Sequence, residues 1–411
     1  MNIVAKIKNA SLYPLAYAIV SGQSAGARMR ALGKKPIVRF EQPYQGQKIL
    51  LLALYEKGRL RADIENLLIT AKSLGMYVLA INTLKVLNPD SLKDKIDCYI
   101  ERPNFGRDFG SYQAGFLHIY KKSWAQKCNR LLMLNDSLFY SKANLTAFLE
   151  QMITTDIEVL GATENHEIEH HLGSFCISID QGILEQTRFK RYWSRYSNTD
   201  VRPKVIKRGE MKLSKNLRRC VSSTEQFSAH FNLPWLTNYL RNNQDILYRV
   251  SDFYRVSHLG METPSLKAVA GRVMNKYLHI DPGLLNIEAK TIYFVDSAQG
   301  LTKAIKTSVK ELNVESLEKR VLEEVQNNLM ECFSVNSQIH QNNILLHHLG
   351  MPLIKKDALY RGTFVAEDVE KIATQLSPQE LSDFRRLMFS KPFGGNTLIG
   401  WKRAAWIRGL I

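Results

Sequence analysis

The chain of 411 residues has no C-x-x-C pair, no glycine-rich phosphate loop and no internal repeat or low-complexity stretch. It also lacks any run near the roughly 20 apolar residues that a membrane-spanning helix needs. Each absence excludes something. Five cysteines (Cys98, Cys128, Cys176, Cys220, Cys332) stand apart from one another, which argues against a zinc knuckle or a disulfide framework and suits a reducing cytoplasm. Without G-x-x-x-x-G-K-[ST] or G-x-G-x-x-G, triphosphate hydrolysis on a P-loop and dinucleotide binding both lose support. Acidic residues are scarce: 39 Asp and Glu face 56 Lys and Arg, a formal charge of +17. That excess favours an anionic partner, whether nucleic acid, acidic lipid or a phosphate-bearing substrate. What remains is ordinary for a soluble globular protein, 45% apolar and 23% charged, and long enough for two or three domains or one large α/β core with additions.

The N-terminal "MNIVAKIKNASLYPLAYAIV" has lysines and an apolar patch, but Pro14 interrupts it, so residues 1–46 read as an appendage, helical in part, rather than a secretory signal. The core begins at "QKILLLALYEKG", where Ile49–Leu54 is a continuous apolar run of the kind buried on both faces of a sheet. "RLRADIENLLITAKSLG" repeats apolar residues at helical spacing and stops at Gly75. "MYVLAINTL", "DCYIERPN" and "RLLMLNDS" give further strands, and "GSYQAGFLHIYKKSWAQKC" and "ANLTAFLEQMI" give helices. "IEVLGATEN" and "HLGSFCISID" add two more strands. This alternation predicts an α/β fold with a doubly wound, mostly parallel sheet over 47–255. Beyond it, 256–411 predicts a mainly helical C-terminal region, with helices at 263–278 and 316–333 and a basic tail carrying Trp401 and Trp406.

In a wound sheet the chemistry gathers beyond the carboxyl ends of the strands. Glu56, Asn104, Asp108 and Asp136 fall at such ends. In "RPNFGRDFG", Asn104 and Asp108 offer polar side chains while Gly106 and Gly110 allow close backbone approach; the same loop would also serve simply to open the next helix. In "LNDS", Asp136 is placed to hold a divalent cation, magnesium or manganese, against a diphosphate, with Asn135 and Ser137 orienting it; the alternative is a helix cap. Between Arg188 and Arg219 there are 12 cations and only two acids, Asp200 and Glu210. So lopsided a segment, which includes Lys207 and Arg208, suits binding of a donor diphosphate or of phosphates on a lipid-linked acceptor.

"RPNFGRDFGSYQAG" (102–115), "LNDS" (134–137), "DIEVLGAT" (156–163), "HLGSF" (171–175) and "VIKRGEMKLS" (205–214) resemble, in order and spacing, the rhamnan synthesis protein F family of bacterial polysaccharide glycosyltransferases. "HQNNILLHHLGMPLIKKDAL" (340–359) echoes a later motif of that family more loosely. The resemblance implies a GT-A-like fold. It implies that Tyr55 and Glu56 face the base and ribose of a nucleotide sugar, with Asn104, Arg107 and Asp108 nearby. Asp136 would stand in the metal- or diphosphate-associated position, although it is a lone Asp where an Asp-x-Asp is usual. His171 and Ser174 would line the sugar or acceptor side, as would Lys207 and Arg208, and His340 would contact the diphosphate. Glu210 would be the base of an inverting transfer, with Glu225 in reserve, and the neighbouring Lys207, Arg208 and Lys212 predict a lowered pKa for it.

The expected function is transfer of a sugar, rhamnose from dTDP-rhamnose as the family guess, to a lipid-linked or growing surface polysaccharide. The expected place is the cytoplasm, peripheral to the acidic face of the inner membrane, with no nucleic-acid partner. Two alternatives compete. Charge alone allows a nucleic-acid-binding protein, though no recognition motif accompanies it. A non-catalytic partner in a synthase complex is the other.

Overall fold

In a computed structural model the described residues are 3–243, 246, 247, 314–335, 337–391, 393, 394 and 397–411. The helix expected at 263–278 lies outside them. By its contacts the chain packs as two units, Met1–His230 with Gly350–Ile411, and Phe231–Leu349. The linear segments 1–46, 47–255 and 256–411 thus have no direct counterpart in this division, because residues 350–411 pack with the N-terminal part.

The first unit is built on a nine-stranded sheet. Four apolar runs form its centre: β2 (Ile49–Leu54), β3 (Tyr77–Asn82), β4 (Cys98–Glu101) and β5 (Arg130–Asn135). Their order is β4-β3-β2-β5 and all neighbours are parallel. Every residue of these strands is buried, as continuous hydrophobicity demands of strands covered on both faces. The register pairs Leu54 with Asn82, Asn82 with Glu101 and Ala53 with Asn135, so the four carboxyl ends finish level with one another.

The margins differ from the expected parallel pattern. β1 (Ile37–Glu41) joins β4 antiparallel at one edge, drawing part of the N-terminal appendage into the sheet. On the other side β9 (Cys176–Asp180) runs antiparallel to β5 and to β7 (Val159–Asn165), and β8 (His171–Leu172) folds back on β7. The reason is connection length: a parallel neighbour needs a crossover of a dozen or more residues, and the segments joining β7, β8 and β9 are too short. β10 (Phe227–Phe231) closes that side beside β7.

Helix α1 (Ile3–Ala31) carries Pro14 inside it, and Ala16, with Tyr13 and Tyr17, packs against Trp401, Ala405 and Leu410 around helix Gly400–Ile407. Trp406 donates its indole N–H to the Tyr360 carbonyl at 2.9 Å. Part of the aromatic tail is therefore spent on internal packing. No described helix is long and apolar enough to cross a membrane.

α2 (Ala62–Ser73) ends as its sequence suggests. Gly75 takes φ 71°, and the Met76 N–H reaches back to the Ala71 carbonyl at 3.0 Å. α3 (Arg107–Lys121) starts earlier than expected, inside the polar motif, and lies on β2 and β3. A Cβ on Gly115 would sit 2.3 Å from Leu51 Cδ1 and 3.0 Å from Ile81 Cδ1, so the helix approaches the sheet through a glycine. Gly115→Ala should destabilise the protein by about 1–3 kcal/mol through overpacking, measured by urea denaturation. α3 also stacks Phe116 on Trp193 of helix Thr187–Ser194, with ring centroids 4.5 Å apart. Short strands β6 (Leu138–Tyr140) and β11 (Leu353–Lys355) pair antiparallel, Lys355 opposite Leu138, which carries residues 350–361 to the carboxyl end of the sheet.

Candidate active site

The loop after β4 is tied by its own arginine. Buried Arg102 donates to Ser111 Oγ at 2.9 Å and to the carbonyls of Pro103, Phe105 and Arg107. Burial pulls its pKa down to about 10, so it stays charged at neutral pH. Gly106 and Gly110 do allow close approach, but of the protein itself. A Cβ on Gly106 (φ 94°) would meet Asn198 Oδ1 at 2.5 Å, and one on Gly110 would meet Arg102 Nη1 at 2.8 Å. Asp200 fixes the turn from outside by accepting from the Gly106 N–H at 2.7 Å. The loop thus leaves Asn104 and Arg107 exposed and places half-buried Asp108 in the first turn of α3, where the helix dipole favours a carboxylate.

Asn135, the last residue of β5, is buried and spans two motifs. Its amide donates to Asp108 Oδ2 at 3.1 Å, and its Oδ1 accepts from the Ser137 hydroxyl at 2.6 Å. Asp136 is half-buried, and its Oδ2 accepts from the backbone N–H of exposed Tyr55 at 2.9 Å. Around it stands a group the sequence motifs did not reveal. Arg61 forks onto Asp63 at 2.9 and 3.0 Å, reaches Glu56 Oε1 at 3.0 Å, and donates to the carbonyls of Asp136 and Leu138. Glu56 is buried, and burial pushes its carboxyl up while Arg61 pulls it down. Lys355 Nζ donates to Ser137 Oγ at 3.1 Å and lies 5.4 Å over the Phe175 ring. Lys356 is half-buried and faces Asp136, Arg61, Glu56 and Asp63; its backbone N–H bonds the Ser137 carbonyl.

Glu210 sits on a π-helix, Ile206–Met211, between helices Arg202–Val205 and Lys212–Arg218. Such a wide turn re-aims side chains and is common at functional positions. Only 27% of the Glu210 side chain is exposed, and its carboxylate lies 3.9 Å from His171 Nε2. Burial, and then the nearby Asp108, raise its pKa to about 7, against the pull of Lys355 and Arg202. This corrects the expectation of a lowered value. Lys207 and Arg208 are exposed and line a groove instead of neutralising the acid. His171 is buried, and its Nδ1 bonds the Glu169 carbonyl at 2.8 Å; since a carbonyl only accepts, the proton is on Nδ1 and Nε2 presents a lone pair toward Glu210. Burial lowers the His171 pKa, which keeps the ring neutral.

Two clusters therefore share neighbours. Asp108 bonds Asn135 and also acts on Glu210, and Lys355 bonds Ser137 and also acts on Glu210. Ser174 is buried, and its backbone carbonyl accepts from the Tyr112 hydroxyl at 3.1 Å. His340 is half-buried on the short helix Gln338–Gln341 of the second unit. Glu225 is exposed and held by the hydroxyls of Ser223 and Thr224, which bring its pKa down to about 2, a poor base. The basic run is not one surface. Lys204, Lys207, Arg208, Lys212 and Lys215 line a groove of about 670 Å³ beside Tyr17 and Glu169, whereas Lys190, Arg191 and Arg195 line a second of about 420 Å³.

Near Asp136 the acids leave a divalent cation few free oxygens. Both oxygens of Asp63 and one of Glu56 are given to Arg61, and Asp136 Oδ2 takes the Tyr55 N–H. Among the described residues, ligand atoms of three His, Cys, Asp or Glu residues lie within 4.8 Å of one another only at Glu41–Cys98–His118 and Glu164–His166–His170. Neither group contains Asp136.

Comparison with known proteins places these residues in context. Residues 77–255 match the model of the family described as rhamnan synthesis protein F, the family that the motifs resemble. The uncharacterized protein y4gN of Sinorhizobium fredii (strain NBRC 101917 / NGR234) is 27% identical over 191 residues, 44% of this chain and 48% of that protein. Virulence protein VirA of Vibrio anguillarum is 30% identical over 105 residues, 25% of this chain and 32% of that protein. The chain thus spans less than half the length of these curated relatives. Among solved structures, the glycosyltransferase GlyE of Streptococcus pneumoniae TIGR4 is 12% identical with a TM-score of 0.27, over 50% of this chain and 52% of that one.

Proposed function

We propose that the chain, whose residues 77–255 match the model of the rhamnan synthesis protein F family, is a glycosyltransferase of polysaccharide synthesis that transfers a sugar from a nucleoside diphosphate with inversion. One observation carries this reading: a carboxyl raised to about 7 that shares Asp108 and Lys355 with the "LNDS" motif. A general base works best when its pKa lies near the working pH. In the step, an acceptor hydroxyl attacks the anomeric carbon and its proton passes to the Glu210 carboxylate. The bond from that carbon to the diphosphate breaks, and its electron pair leaves on the phosphate oxygen. His171 holds its Nε2 lone pair toward Glu210, which favours the protonated acid formed as the proton arrives. Tyr55, just beyond β2 and bonded through its backbone N–H to Asp136, would meet the nucleoside.

The preferred donor is dTDP-rhamnose. A panel of nucleotide sugars should include at least one that raises the melting temperature, since a ligand bound only by the native state stabilises it. No stabilisation by any member would overturn the assignment.

The groove lined by Lys207 and Arg208 adjoins Glu210 along the same π-helix, and its charge suits the phosphates of a lipid-linked acceptor at the cytoplasmic face of the inner membrane. The double variant Lys207→Ala/Arg208→Ala should raise the KM for such an acceptor several-fold, leave kcat near normal and flatten the salt dependence of KM. Both side chains are exposed, so stability should change by no more than about 0.5 kcal/mol.

A further inference from the structure

An activated sugar brings two negative charges on its diphosphate, and the leaving group must be stabilised as the glycosidic bond breaks. A divalent cation is the usual counter-charge, but both oxygens of Asp63, Glu56 Oε1 and Asp136 Oδ2 already accept hydrogen bonds from Arg61 or a backbone N–H. Two ammonium groups stand at that place instead. Lys355 is the last residue of β11 and Lys356 follows it, so the β6–β11 pairing delivers both to the "LNDS" motif. The placement is tight: Lys355 bonds Ser137, and Lys356 is in the electrostatic range of Asp136.

We propose that Lys355 and Lys356 form the diphosphate-binding cations of the donor site, in the position a divalent metal would otherwise occupy. Lys355, acting on both Ser137 and Glu210, lies between the donor motif and the acid and takes the leaving oxygen. Lys356 faces Asp136, which would otherwise repel the ligand; burial lowers the lysine's pKa, and Asp136 opposes that shift. Arg61 holds the remaining acids away from the phosphates by binding them itself.

This inference rests on the glycosyltransferase reading, and the test separates the two. dTDP and UDP are titrated calorimetrically into the full chain, with excess EDTA and then with magnesium or manganese. The expected result is one affinity, unchanged by EDTA. Lys355→Met and Lys356→Met should each weaken binding about tenfold or more, the scale of losing a charged hydrogen bond, and Lys355→Arg should retain most of it. Melting curves verify that each variant is folded; should Lys356→Met fail to fold, half-buried Lys355 decides the matter. Binding that appears only with added metal, or folded lysine variants that bind like the parent, overturns the inference while leaving a sugar-nucleotide enzyme in place. Absence of binding by either nucleotide under every condition overturns the broader reading as well.

Discussion

Glu210→Gln is expected to bind a nucleoside diphosphate as the parent does and to turn over at least about a hundredfold more slowly. Gln keeps the size and polarity of the side chain but cannot take a proton. The parent kcat should rise between pH 6 and pH 8 with an inflection near 7, where the carboxylate forms, and the residual rate of the variant should lose that inflection. A matching effect follows for stability. The folded pKa of Glu210 lies above the unfolded value, so its contribution is fully present at low pH and disappears as pH climbs toward 7. Glutamine does not titrate. The melting temperature of the variant relative to the parent should therefore increase from pH 5 to pH 8. Turnover within a few-fold of the parent would move the base elsewhere; a flat stability difference would contradict the buried, proton-binding environment of Glu210.

Much of the framework was legible because it rests on unbroken hydrophobicity. The apolar runs of β2, β3, β4 and β5 are buried throughout, which marks them as strands covered on both faces, and their ends lie where the polar motifs begin. Asn135 to Asp108 and Tyr55 to Asp136 are contacts between those ends. What periodicity does not encode is direction after the centre: β9 is apolar too, yet its short connection to β7 sets it antiparallel to both β7 and β5. Side-chain partners set by tertiary distance were also hidden. Lys355 and Ser137 are 218 residues apart in sequence, and Arg61 sits in a segment whose helical pattern gives no hint that it holds two acids. Glu210 shows the same limit from the other side. Counting Lys207, Arg208 and Lys212 as its neighbours along the chain predicted a lowered pKa, whereas the π-helix exposes Lys207 and Arg208 to a groove and leaves the acid to burial and Asp108.

Arg61→Met is expected to be the most destabilising of these substitutions, at about 3–5 kcal/mol, because removing one partner strands buried charges without a counter-ion. The side chains of Arg61, Glu56 and Asp63 are 17%, 9% and 5% exposed, so water cannot replace the guanidinium. Methionine preserves the aliphatic volume, which isolates the loss of charge from the loss of packing. Lys356 still faces Glu56 and Asp63, and Glu56 can accept a proton; both place the loss toward the lower end of that range. Protonation also gives the effect a direction with pH. Burial already raises Glu56, and without Arg61 its pKa must go higher, so the folded variant is favoured at low pH and penalised as pH rises. Urea denaturation should show a larger deficit at pH 8 than at pH 5, and adding Glu56→Gln should recover part of it. A deficit independent of pH, unaffected by Glu56→Gln, would mean that Arg61 acts through the carbonyls of Asp136 and Leu138 and not through the acids it binds.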